Sequence, residues 1–283
     1  MAAIASRPRS PNIEAHPQGV RSLMAQTSAL SRRSVVTIWR QPQTWVPSLL
    51  FPLLFAALNT AALGRVPAQL ALQGLHPFGP NDSFLDYLFV GTLTQGVLFG
   101  SLSGGSELAQ DIESGFLDRL VTTPVSRVSI LIGRLAGSAA LGFTQAVFFM
   151  CVFLAFGARI AGGLAGAAVL AAAAALLSLA IGSLACAMAI KTGSVEAVQG
   201  AFPLLFISLF VSSAFFPTAL MKGWYKSVAS HNPLTGMING MRHQVLLGFD
   251  FSEAAAAVLI PGAVAAGAIG LCLLALRSRL ASR

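Results

Sequence analysis

An all-α membrane protein is the expected fold, and three observations point to it. Of the 283 residues 55% are hydrophobic and only 10% charged, with a mean hydropathy of +0.74, whereas an ordinary soluble domain carries roughly 25% charged residues. Whole blocks of about 20 residues are apolar on every side, long enough at ~1.5 Å per residue to cross ~30 Å of hydrocarbon. The cations behind the net charge of +8 gather beside those blocks. They form no basic face interleaved with aromatics, so the charge reads as membrane orientation and nucleic acid is not an expected partner.

Residues 1–18 are rich in Pro, Ser and Arg and poor in bulky apolar groups, so they are expected to be a disordered cytoplasmic tail. Residues 19–43 change character. On a helical wheel Val20, Leu23, Met24, Leu30, Val35 and Ile38 fall on one side and Arg21, Arg32, Arg33 and Arg40 on the other. That pattern predicts an amphipathic helix at the membrane surface, a plain interfacial anchor or a brace for a cytoplasmic partner. Trp39 and Trp45 flank its junction with the first span, where an indole finds apolar and wet surroundings together.

Residues 44–283 are expected to form a six-helix transmembrane domain, with spans at 45–64, 85–106, 135–156, 165–190, 197–217 and 254–276. Pro47 and Pro52 lie near the start of the first span, where neighbouring helices must re-satisfy the freed carbonyls. The prolines and glycines of residues 66–84 predict a short loop. The second span is the most polar, with Asp86, Thr92, Thr94, Gln95, Ser101 and Ser103, and it repeats glycine at Gly96, Gly100 and Gly104. Glycines at that interval let helix backbones approach closely, so this span is expected to face protein. Cys151, Cys186 and Cys272 each sit inside an apolar block without metal or redox spacing.

Charge sets the orientation. With both termini inside, inner segments hold thirteen cations and outer segments five: Arg65, Arg159, Lys222, Lys226 and Arg242. This bias predicts a bacterial cytoplasmic (inner) membrane protein with both termini in the cytoplasm. No secretory leader is evident in the first 44 residues, so the mature chain is expected to start near Met1.

The longest charged stretch between spans runs from Glu107 to Arg134. It alternates acids and arginines with Ile112, Phe116, Leu117, Leu120 and Val121, which suits a docking loop better than a solvated one. This run resembles the cytoplasmic signature of permease subunits of type-2 ATP-binding-cassette (ABC) exporters. There an acidic residue and a glycine precede a Leu-x-x-[Ser/Thr]-Pro-[Val/Ile] turn, here Leu120-Val121-Thr122-Thr123-Pro124-Val125. The basic amino-terminal helix, the six spans, and Asn232-Pro233-Leu234-Thr235 followed by Arg242 are similar too. The likeness covers nearly the whole chain and is closest to daunorubicin-resistance-type drug and lipid exporters.

That resemblance implies an ATPase-coupling surface at Glu107, Asp111, Glu113, Gly115, Asp118, Arg119, Pro124 and Arg127, joined by Arg32 and Arg33 of the amino-terminal helix. It also implies a helical hairpin that re-enters the membrane between spans five and six, with Phe216, Pro217, Trp224, Asn232, Pro233 and Arg242. The residues agree with the hairpin, since 215–249 is too apolar for a free loop and too short to span twice. An interfacial hairpin without a gating role fits the same composition. The implied partners are an ABC ATPase subunit, a second permease subunit (a copy or a relative) and membrane lipid. ATP and Mg would be bound by the partner ATPase, with no cofactor or metal in this chain.

No catalytic constellation emerges. Asp86 and Glu196 lie near predicted span ends, and His16, His76, His231 and His243 fall outside confident spans without triad or metal spacing. A P-loop is absent, because none of Lys191, Lys222 and Lys226 follows a glycine. The expected function is therefore export of a hydrophobic or amphiphilic drug, lipid or glycolipid, driven by separate ATPase subunits. Asn59, Gln95, Gln145 and Gln199 are candidate pathway residues, neutral and sparse, and each is equally able to stitch helix to helix. The rival is a gradient-driven secondary transporter or channel, which would place ionisable groups near the bilayer centre.

Overall fold

The computed structural model describes residues 42–78, 83–115 and 127–281, together with the helical positions Ser28, Ala29, Ser31, Arg32, Ser34 and Val36. Among the described residues all regular structure is helical. In chain order it comprises α1 (Pro42–Leu63), α2 (Val66–Ala71), α3 (Phe84–Gly100), α4 (Ser103–Glu113), α5 (Arg127–Ala155), α6 (Gly163–Thr192), α7 (Val195–Gln199) and α8 (Phe202–Phe210). A 3-10 turn (Thr218–Leu220), α9 (Gly223–His231), α10 (Pro233–Leu246) and α11 (Phe251–Ala281) follow.

Four of these helices are long and apolar enough to cross a membrane, over Trp45–Leu63, Leu131–Ala155, Gly163–Thr192 and Phe251–Ser278. They coincide with the expected first, third, fourth and sixth crossings. The expected second and fifth are not continuous helices. Residues 85–106 divide into α3 and α4 at Ser101 and Leu102, where Gly100, Ser101, Ser103, Gly104 and Gly105 give the chain little reason to prolong one helix. Residues 197–217 divide at Gly200 and Ala201, because Pro203 lacks an N–H and falls in the first turn of a new helix, α8. That helix stops at Phe210, well before Pro217.

A second correction concerns residues 66–71, expected as loop and found as α2. Pro67 occupies the first helical turn, the place where a missing N–H costs nothing.

The bundle is organised around α6, which packs most extensively on α11 and α5. Close approach of α5 and α6 depends on glycine. A Cβ added at Gly142 would strike Ser178 and the Ala174 carbonyl of α6, and one at Gly182 would strike Ser138 of α5. The Gly96, Gly100 and Gly104 stripe works likewise, against Phe149, Gln145 and Ser138 of the antiparallel α5. The stripe faces protein, as the spacing predicts. Hydroxyls stitch the same contacts: Ser101 donates to Ser178 Oγ (3.1 Å), and Ser178 donates to the Ser138 carbonyl (2.6 Å). The backbone N–H of Ser101 donates to the Val97 carbonyl at 3.0 Å, holding the turn before the break.

α6 ends at Gly193, whose φ of +66° is the left-handed cap conformation that glycine adopts without penalty, with Lys191 in the last turn facing the negative end of the dipole. Large apolar side chains remain outward on the long helices, Leu50, Leu54 and Leu58 on α1 and Leu259, Leu271 and Leu274 on α11. Hydrocarbon or a protein partner, not water, suits such a surface.

Candidate functional site

Two clusters carry the chemistry of this chain. The first lies where α4, α5 and α7 converge. Glu107 and Asp111 are four residues apart on α4, hence on one face, and Arg134 of α5 reaches both, at 3.5 Å from Glu107 and in direct contact with Asp111. All three side chains are largely shielded from solvent, so the cluster is a structural fastening stronger than an exposed pair. Two residues later Glu113 accepts the Val195 backbone N–H at 2.9 Å, tying the end of α4 to the first residue of α7. Ser194 caps α7 by accepting from Ala197 N–H (3.3 Å) and donates to Glu196 Oε2 (2.6 Å). That hydroxyl holds the Glu196 carboxyl below its ordinary pKa.

Of the expected coupling residues, Glu107, Asp111 and Glu113 are thus brought together by helix fastening. Gly115 follows α4 at φ +67°, and Arg32 is exposed. Arg127 starts α5, but its side chain lies outside the described residues, as do Asp118, Arg119, Pro124 and Arg33. Arg134 was not singled out from the sequence, yet the i, i+4 acids of α4 ask for a cation in just this position.

The second cluster encloses residues 211–217, between α8 and the 3-10 turn. A helix that stops inside a protein leaves its last carbonyls without intrahelical partners. Here each is accounted for. Ile207 accepts Val211 N–H at 2.9 Å and Leu209 accepts Ser212 N–H at 3.2 Å. Asn232 Nδ2 donates to the Ser208 and Val211 carbonyls, 2.8 Å each, while its Oδ1 caps α10 by accepting Leu234 N–H at 3.0 Å. Tyr225 donates to the Phe210 carbonyl at 2.7 Å.

Beyond the helix end, Arg242 Nη2 donates to the carbonyls of Ser213 (2.9 Å) and Ala214 (3.1 Å), and Tyr87 of α3 also donates to Ser213 (3.2 Å). The Arg242 guanidinium lies 3.7 Å over the Tyr87 ring, a desolvated cation–π contact. Thr235 accepts Ser213 N–H (3.2 Å). Gly91 completes the fit, because any Cβ there would strike the Ala214 carbonyl.

The expected hairpin residues divide accordingly. Asn232 and the buried Arg242 hold the cluster, Pro217 is buried at its edge, and Phe216, Trp224 and Pro233 are exposed. Of the cations in residues 215–249, Arg242 is 7% exposed, whereas Lys222 and Lys226, like His231, are on the surface.

The neutral polar residues do not assemble into one site. Gln145 is buried and stitches three helices, donating to Ser48 Oγ of α1 (2.8 Å) and the Gly96 carbonyl of α3 (3.2 Å). Gln95 lies in the neighbouring turn, fully buried, with neither amide atom hydrogen-bonded. Asn59 bonds its own helix at the Phe55 carbonyl (2.8 Å), and Gln199 is exposed at the end of α7. Asp86, also buried, accepts Arg159 N–H at 2.9 Å and ties α3 to the α5–α6 connection.

Aromatic rings fill the space between α1 and α8. Phe55 stands edge-on to Phe210 and Phe215, while Phe99 of α3 contacts Phe51, Phe202 and Phe206. No group of three His, Cys, Asp or Glu side chains suited to a metal occurs among the described residues.

The sequence pattern of the ABC-2 type transporter family matches residues 25–246, a stretch that contains both clusters. The chain belongs to the ABC-2 type transporter family. Relatives of this ABC-2 chain include the transport permease ycf38 of Pyropia yezoensis, 29% identical over 228 residues, and that of Porphyra purpurea, 28% identical over 225. In both, the match covers 78% of this chain and 74% of the relative. The doxorubicin resistance ABC transporter permease protein DrrC of Mycobacterium tuberculosis (strain ATCC 25618 / H37Rv) is 25% identical over 222 residues, covering 78% and 77%. The ABC-2 chain is thus a membrane transport permease of several apolar helices.

Proposed function

We propose that this chain is the membrane half of an ATP-driven exporter: two such subunits face one another above a pair of separate ABC ATPase subunits. In this reading α3 with α4 and α7 with α8 are the second and fifth of six crossings, α9 and α10 form the hairpin re-entering from outside, and both termini are cytoplasmic. The α4–α5 connection receives the push of the closing ATPases. The observation that carries the reading is the fastening around that connection. Arg134 grips Glu107 and Asp111, and Glu113 grips Val195, so displacement of the connection is transmitted to α5 and α7 together. A rigid linkage of this kind supports tilting of packed helices as units.

The cargo is hydrophobic or amphiphilic. The neutral Gln95 and Gln145 and the phenylalanine seam between α1 and α8 favour such a molecule over an ion. The doxorubicin resistance named for one relative agrees with that class.

The test is co-purification of the chain with an ABC ATPase subunit, followed by transport and ATPase assays with Arg119→Ala. ATPase activity that no longer responds to cargo in the variant supports the reading. Transport that continues after removal of every ATPase partner refutes it.

A further inference from the structure

A half-open groove of about 710 Å³ separates α6 and α11 from α8. It shares no residue with the cluster around Arg242 or with the fastening at Arg134. Its floor is small: Ala187 and Ala275 sit where larger side chains would close the trough, while Ile181, Leu204 and Leu274 form apolar walls. Along α6 it extends from Ile181 to Lys191, ten residues or about 15 Å. That is half of the ~30 Å hydrocarbon thickness, the depth of one leaflet. Among the described residues that line it the one cation is Lys191, at the end where α6 finishes, with Ser278 of α11 also in the lining, and none carries a carboxylate.

We infer that this groove seats one anionic phospholipid of the cytoplasmic leaflet, with an acyl chain along α6 and the phosphate at Lys191. The assignment deepens the proposed function, since it rests on the orientation that puts Lys191 at the cytoplasmic face. Other occupants fit less well. The amino-terminal segment brings Arg21, Arg32, Arg33 and Arg40 and would set like charge against Lys191. An isologous contact with a second copy would bury two Lys191 side chains without a counter-charge. The volume lies within the range of small-molecule sites, and a single lysine beside an acyl trough matches one anionic headgroup.

Native mass spectrometry of the purified full chain, titrated with phosphatidylglycerol and phosphatidylcholine of identical acyl chains, tests the inference. The wild type retains phosphatidylglycerol about fivefold better, the weight of one lysine beside an anionic headgroup. Lys191→Glu removes that preference, Lys191→Arg keeps it, and Ala187→Phe lowers retention of both lipids by filling the trough. Equal retention of the two lipids by the wild type overturns the inference, as does an unchanged preference in Lys191→Glu. So does displacement by free glycerol phosphate, which would leave the acyl groove without a role. If Ala187→Phe separates subunits and leaves lipid retention intact, the groove is a subunit interface and the inference also fails.

A cysteine at Ser194, probed with a membrane-impermeant reagent, reads the orientation separately. Reaction only after the membrane is opened supports the leaflet assignment, and reaction in intact cells overturns it. The lipid titration uses no ATP, so its failure alone leaves the exporter reading standing, whereas reaction of the Ser194 cysteine in intact cells would overturn both, since Val195 is bonded to Glu113 beside the α4–α5 connection.

Discussion

Replacing Arg242 with methionine should loosen the segment 211–217 without unfolding the bundle. The guanidinium donates two hydrogen bonds, to Ser213 and Ala214, and stacks on Tyr87. Hydrogen bonds from a charged group contribute roughly 1.5–3 kcal/mol each and a desolvated cation–π contact about 2. Burying the cation costs several kcal/mol, which offsets much of that gain. What the substitution leaves behind therefore decides the outcome. Ser213 keeps its bond from Tyr87, but the Ala214 carbonyl loses the donor seen here, a loss of about 1–3 kcal/mol for one orphaned buried acceptor. Methionine over the Tyr87 ring recovers a little through sulfur–aromatic contact, on the order of 0.3–1.5 kcal/mol.

The expected net is about 2 kcal/mol, or a roughly thirtyfold rise in the open population of the segment. Ser212, buried beside Ala214, provides the reporter. A cysteine there, in a background lacking Cys151, Cys186 and Cys272, should react with a thiol reagent about thirtyfold faster in the Arg242→Met protein. Arg242→Lys should recover part of the loss, because a single nitrogen, Nη2, donates to both carbonyls and an ammonium has donors enough to do the same, though without the flat stack on Tyr87. Reaction rates within about twofold of the parent, with an unchanged melting temperature, would refute the reasoning: the two carbonyls would then be satisfied without Arg242.

Gly100→Leu should lower stability by about 1–3 kcal/mol through collision with Gln145, whereas Gly267→Leu, which meets open space, should leave detergent melting unchanged. Glu113→Ala should speed hydrogen exchange at Val195 and cost about 1 kcal/mol, as lost helix caps do, while Glu113→Gln keeps an acceptor and most of the protection. Asp250 caps α11 by accepting from Ser252 Oγ and from the N–H groups of Ser252 and Glu253, and those bonds, the Ser252 hydroxyl first, hold its carboxyl below the ordinary value. A depressed carboxylate stabilises above its unfolded pKa of about 3.9 and loses that contribution as pH falls through the folded value. Exchange at Ser252 and Glu253, corrected for intrinsic rate, should therefore rise below about pH 4 in the wild type and show no such acid step in Asp250→Ala.

Much of the architecture is legible in composition because hydrocarbon demands it. The four continuous crossings agree with the apolar blocks to within a few residues, and the Gly96, Gly100 and Gly104 stripe fixes which face of the second crossing meets protein. The breaks are less legible. A hydropathy window counts side chains and is blind to backbone, so Gly100 to Gly105 reads as a polar stretch of one helix although the bonding of Ser101 and Ser103 closes one turn and opens another. Pro67 reads as a breaker until its position in a first turn is known. Cluster residues hide for a different reason: Tyr87 of α3 and Thr235 and Arg242 of α10 are distant in sequence from one another or from residues 213–214 and meet through backbone carbonyl and N–H groups there, which leave no mark in the side-chain pattern.

The two kinds of bonding divide the protein mechanically. Between α5 and α6 contact is made by Gly142, Gly182, Ala174, Ser138 and Ser178 at backbone distance, and α6 packs extensively on α11; such surfaces are close-packed and resist shear. At the two ends of the interrupted α7–α8 segment the backbone is held by side chains instead: Glu113 and Ser194 at the start of α7, and Asn232, Tyr225, Thr235 and Arg242 beyond α8. A side-chain bond can be exchanged for another partner at a net cost of about 1 kcal/mol, whereas parting a packed helix pair sacrifices many contacts at once. α8 lies between two such joints and carries Phe210, which meets Phe55 of α1, and Phe202 and Phe206, which meet Phe99 of α3. In the exporter we propose, displacement of the α4–α5 connection would therefore reach α8 through the bond from Glu113 to Val195, with α5, α6 and α11 as the frame against which it moves.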